Sequence, residues 1–122
     1  MSVFYGQQVR KQSAAIAADI DARIVTVISR RLGLHKGLVM VAVGVMCRQL
    51  GEHVFVEMGW TAGTADGFTD ALACRHAGNR LVAKGMREVA TDPRVRHLAR
   101  TVALLGQSAA TKILSATRWA SR

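Results

Sequence analysis

Two cysteines, four histidines and eight carboxylates are the residues of this chain able to do nucleophilic, metal or acid–base chemistry. None of them falls in a reactive pattern. The nearest metal groupings are His53 with Glu57 and Cys74 with His76, and neither is the CxxC or HxxxH pair that sets two ligands side by side. Cys47 and Cys74 lie among apolar residues, where cysteine serves as a small core side chain. Neither has a local context that would activate a nucleophile. Gly33-Leu34-His35-Lys36-Gly37 lacks the Lys-Ser/Thr ending of a phosphate loop. The carboxylates read as helix caps and surface partners, not as a catalytic pair. The expectation is a non-enzymatic protein with no catalytic residue, metal or cofactor.

The remaining candidate for function is positive charge. Lys and Arg total 17 against 8 Asp and Glu, a net charge of +9. Thirteen of the 17 are Arg, and the second half of the chain carries twice the excess of the first, +6 against +3. Such a surface attracts polyanions, and the planar guanidinium suits bidentate phosphate contact. An Arg-rich codon usage gives the same composition without a partner. On the helix that follows Asp66, the residues His76, Arg80, Lys84 and Arg87 fall within a narrow arc opposite the apolar one. On the last helix Arg96, Arg100 and Arg118 share a polar face with Gln107 and Thr111. A row of cations on a rigid helix can follow a phosphate backbone; the alternative is a solvated basic face. The six aromatic residues are too few for the stacking platform of a single-strand binder.

The elements that must carry these faces are helical. A 122-residue chain with half its residues hydrophobic and a single proline, Pro93, reads as one domain over 1–122. Val9, Ile16, Ile20, Ile24, Val27 and Ile28 recur at helical spacing, predicting a helix from about Gln8 to Leu32 that Gly33 ends. Asp19 and Arg23, four apart, pair on its flank. Residues 37–51 are apolar all round, with Gly37, Gly44 and Gly51 seven apart and Gly51 placed as a C-cap. They predict a central buried helix, although the alternation of Val39, Val41, Val43 and Val45 also fits a strand. His53–Met58 is β-branched and reads as a short extended segment, with a connector or continued helix as the alternative. Gly78-Asn79 is a candidate helix break, which would also move Arg75 off the apolar face. Thr91-Asp92-Pro93 is a helix start. The last helix then buries Val95, Leu98, Val102, Leu105, Ala109, Ile113 and Ala116. If the extended segment pairs with a second subunit, Val54 and Val56, together with Leu104 and Leu114 on the polar side of the last helix, form an oligomer interface.

Residues 41–56, VAVGVMCRQLGEHVFV, resemble the middle of phage middle-operon transcription activators, where an apolar helix ends at a glycine and passes into a strand of the dimerisation region. The resemblance implies a helix-turn-helix in the second half. Asn79–Arg100 departs from it, because Thr91-Asp92-Pro93 stands at the turn without the usual glycine, and the family is not assigned.

The reading is therefore an all-α, compact bundle of four to five helices, with one short extended segment near 53–58 as an option. Its expected function is binding of nucleic acid, foremost DNA, through the basic helix faces, as a homo-oligomer. The alternative is a structural or assembly subunit of a phage particle or secretion apparatus that meets an acidic protein. The longest apolar run, Leu38–Cys47, is too short to span a bilayer, and the N-terminus has no signal pattern. A cytoplasmic location is expected, or a virion-associated one if the chain is phage-encoded.

Overall fold

The computed structural model describes the backbone of residues 2–58 and 65–120, and the side-chain surroundings of 7, 9–51 and 72–116. The described backbone is helical apart from the turns at 33–35 and 91–95. Helix α1 (Ser2–Ile20) runs through a π-turn, Asp21–Val25, into α2 (Thr26–Leu32), so that the three make one rod. Helix α3 spans Lys36–Met58, α4 Ala65–Ala90 and α5 Ala99–Ala120, the last entered through a 3₁₀ turn at Arg96–Leu98. The rods alternate in direction along the chain. In space α4 lies between α1 and α3, and α5 rests on the other side of α3.

The centre is the α3–α4 seam, and glycine makes it. The two helices run antiparallel with their glycines facing. A methyl group on Gly44 would stand 2.8 Å from the Val82 nitrogen and 2.9 Å from the Gly78 oxygen. One on Gly85 would stand 2.8 Å from the Gly37 oxygen, and one on Gly78 would run into the backbone of Arg48. The seven-residue glycine spacing is thus a packing face and not a set of punctuation marks. This corrects two expectations. Gly51 does not end α3, which continues through it with Gly51 buried. Gly78-Asn79 does not break α4, because the missing side chain at 78 is filled by the neighbouring helix. Arg75 is only half-buried on the unbroken helix. Met86, three turns further along the same face, is 45 % exposed, so this face runs along the rim of the core.

Leu38, Val39, Met40, Val41 and Val45 of α3 are buried, as expected of a central apolar helix; the strand reading of this run does not hold. Nor is 53–58 extended: it is the last part of α3, the continued helix that stood as the alternative. The strand-pairing route to a dimer through Val54 and Val56 falls away with it, and their side chains lie outside the described residues. The α3 helix also lacks the glycine stop and strand that the resemblance to phage activators implies.

Two apolar stripes are turned by about one residue from their periodic positions. In the first rod the π-turn inserts an extra residue, so Val25 is fully buried while Ile24 and Val27 are 44 % and 41 % exposed. In α5 the side facing α3 is small: Ala99, Gly106 and Ala110 are buried, and Gly106 lies against the Ala42 backbone. That close approach leaves Leu98 and Leu105, expected inside, 39 % and 63 % exposed. Ile113 and Ala116 are exposed as well.

The first rod ends as expected at Gly33, whose φ of +64° places it in the left-handed region. No atom lies where a side chain would project. Gly33→Ala therefore tests backbone conformation alone. It should cost about 1 kcal/mol in a denaturant melt, and an unchanged midpoint would show that the turn relaxes.

Candidate nucleic-acid interface

Helix α1 packs along α4, and a groove runs between them and on past the start of α3. Three adjoining hollows make it up. The first, about 460 Å³, is lined by Arg10, His76 and Arg80 among others. The second, about 380 Å³, shares Arg80 with it and adds Asp21, Lys84 and Arg87. The third, about 610 Å³, shares Lys84 and Arg87 and adds His35, Lys36 and Glu88. The cations of α4 recur at three- and four-residue spacing because its apolar positions face α3 and α1. This periodicity puts His76, Arg80, Lys84 and Arg87 together on the exposed side, as the sequence led one to expect.

Each cation is held differently. The Arg80 Nε donates to the Ser13 hydroxyl at 3.1 Å, and that buried hydroxyl donates in turn to the Arg10 carbonyl at 2.9 Å. Asp21 sits in the π-turn, which swings its carboxylate toward α3 and α4. Its Oδ2 takes Lys84 at 3.2 Å and its Oδ1 takes Lys36 at 3.4 Å. One carboxylate therefore gathers two lysines from two helices. Arg87 has no acidic partner among the described residues. Asp19 and Arg23 form the expected pair at 2.8 Å, fully at the surface, where such a pair contributes little.

At one end of the groove the turn before α3 meets the turn before α5. His35 Nε2 lies 3.6 Å from Asp92 Oδ2. Asp92 also caps its turn, accepting from the Arg94 nitrogen at 3.0 Å. The Arg94 side chain hydrogen-bonds the Asp92 carboxylate, and that contact, with the backbone bond, holds the Asp92 carboxyl below the usual carboxylate range. Thr91-Asp92-Pro93 therefore forms a turn and not the helix start expected of it: the 3₁₀ turn begins at Arg96 and regular α-helix only at Ala99.

Arg96 and Arg100 are exposed near this end, on the helix that rests on α3, and neither lines the groove. The Arg118 side chain lies outside the described residues. Of the two basic sets expected from sequence, only that of α4 lines the groove, joined by Arg10 and Lys36, which no single-helix pattern singles out. Leu104 is 59 % exposed, whereas Leu114 is half-buried. Among the described residues no group of three or more His, Cys, Asp or Glu could hold a metal, and no helix is long and apolar enough to cross a membrane. No protein-family model, curated protein or solved structure matches this chain.

Proposed function

We propose that this protein is a non-enzymatic nucleic-acid-binding protein and that the α1–α4 groove is where the phosphate backbone lies. The observation that carries the reading is the line of Arg10, Arg80, Lys84, Arg87 and Lys36 along one groove, with Asp21 and Glu88 as the acids among its lining residues. Such a row neutralises phosphates and releases the counterions condensed on them, whatever the base sequence. Duplex DNA is the first substrate to test, since little aromatic surface is present to stack unpaired bases. A short labelled duplex should give a saturable rise in fluorescence anisotropy at low ionic strength. No rise at that ionic strength would contradict the reading.

Asp21 competes with phosphate for two lysines. Asp21→Asn should therefore tighten binding several-fold while lowering stability by about 1 kcal/mol or less, the lysines being half-exposed. If Asp21→Asn leaves affinity unchanged, Lys36 and Lys84 are not part of the contact.

A second reading, an assembly subunit of a larger complex, is favoured by Leu104 and Leu105, adjacent and 59 % and 63 % exposed on α5. There the groove would meet an acidic protein and α5 a subunit neighbour. An oligomer mass by light scattering that persists in high salt, without DNA binding in low salt, would favour it over the first.

A further inference from the structure

The α3–α4 seam carries a second feature, separate from the groove. Cys47 of α3 and Cys74 of α4 are 27 residues apart in the chain, and their sulfurs lie 3.3 Å from each other. The contact is reciprocal. Cys47 Sγ also reaches the Cys74 carbonyl at 3.3 Å, and Cys74 Sγ reaches the Cys47 carbonyl at 3.6 Å. Each sulfur thus touches the other residue's backbone, which requires the two helices to run side by side at this level. Ordinary helix packing keeps axes 8–10 Å apart and side chains interleaved. Here Gly44 and Gly78, three and four residues away, remove the side chains that would hold the backbones off. The seam therefore provides the short backbone separation that a disulfide demands.

The two thiols are not equivalent. Cys47 is buried, whereas Cys74 is half-buried and reachable from outside. The hydrogen bond from Cys47 lowers the Cys74 thiol to about 7, against the opposing effect of burial. The same contact, with burial, pushes the Cys47 thiol up. At neutral pH this makes Cys74 the attacking sulfur and Cys47 the one that follows.

We propose that Cys47 and Cys74 form a reversible thiol–disulfide site that staples α3 to α4, with a small-molecule disulfide such as oxidised glutathione as the oxidant. The Cys74 thiolate attacks one sulfur of that disulfide. A mixed disulfide forms and the first small thiolate leaves, taking a proton from solvent. Cys47 then loses its proton to solvent and attacks the Cys74 sulfur. The Cys47–Cys74 bond forms, and the second small thiol departs. Two protein thiols are oxidised and one small disulfide is reduced to two thiols. Closing a loop of this length in the unfolded chain should raise the melting temperature of the oxidised protein by on the order of 10 °C.

The test is to incubate the folded, reduced protein with oxidised glutathione and read the intact mass. The expected product has lost two hydrogen masses, yields a Cys47–Cys74 cross-linked peptide, resists alkylation and melts higher. Cys47→Ser should stop at the mixed disulfide on Cys74, gaining one glutathione, while Cys74→Ser should gain none under the same conditions. Circular dichroism before and after confirms that each protein stays folded. Two alkylatable thiols remaining in folded wild type, glutathione retained on wild type, or cross-links only between chains would each overturn the proposal. So would equal labelling of Cys47 in the Cys74→Ser protein, because the buried thiol would then need no partner.

Discussion

Gly78→Ala should lose stability on the order of 2–3 kcal/mol, although it adds helix propensity. In an exposed helix the same change would gain about 1 kcal/mol. Here the new methyl group meets the Arg48 backbone, with the Gly44 oxygen 2.6 Å away. Backbone in a paired helix cannot rotate aside as a side-chain tip can, so α3 and α4 must separate along their length. Overpacking of this kind costs about 1–3 kcal/mol and sometimes more. Gly44→Leu should exceed it, since leucine adds three further carbons to a first carbon that already stands 2.8 Å from the Val82 nitrogen. Urea midpoints measure both. A midpoint equal to or above wild type for either variant would show that α3 and α4 are not held at glycine distance.

The triple variant Arg80→Ala, Lys84→Ala, Arg87→Ala should bind duplex DNA roughly 100-fold more weakly than wild type at low salt, from the loss of about three phosphate contacts. All three side chains are exposed, so the fold should change by less than about 1 kcal/mol. The buried Ser13 hydroxyl keeps its bond to the Arg10 carbonyl when Arg80 is removed. Arg96→Ala with Arg100→Ala is the internal comparison. These residues lie outside the groove, and their removal should weaken binding far less. Equal losses in the two variants would mean that binding follows net charge and not the groove.

Much of this architecture is legible in the sequence where a single helix decides it. The end of the first rod at Gly33, the buried run Leu38–Cys47 and the basic arc of α4 all follow from periodicity along one element. What depends on two helices meeting is not. Gly51 resembles a cap and Gly78 a break when read along the chain; both lie inside helices, and only the opposite helix shows Gly78 to be a contact point. Ile24 and Leu105 sit at correct helical positions. They are turned outward by a π-turn in one case and by the close seat of Gly106 on Ala42 in the other, neither of which hydrophobic spacing contains. The groove has the same origin: its α4 wall is periodic, but Arg10, Asp21 and Lys36 come from two other elements. The cysteine pair was recoverable in principle. Once Gly44 is set against Gly78 in antiparallel register, a residue three places on along α3 meets one four places back along α4, which is Cys74 against Cys47.

The central claim, that the α1–α4 groove holds a phosphate backbone, is tested most directly by the salt dependence of duplex binding. Five groove cations, two of them already drawn toward Asp21, should give about four effective phosphate contacts. Affinity should then fall roughly 100-fold between about 50 and 200 mM salt, as a straight line in log affinity against log salt. The triple variant's slope should be shallower by about three contacts. An affinity that does not change with salt, or a slope that the triple variant leaves intact, would contradict the account.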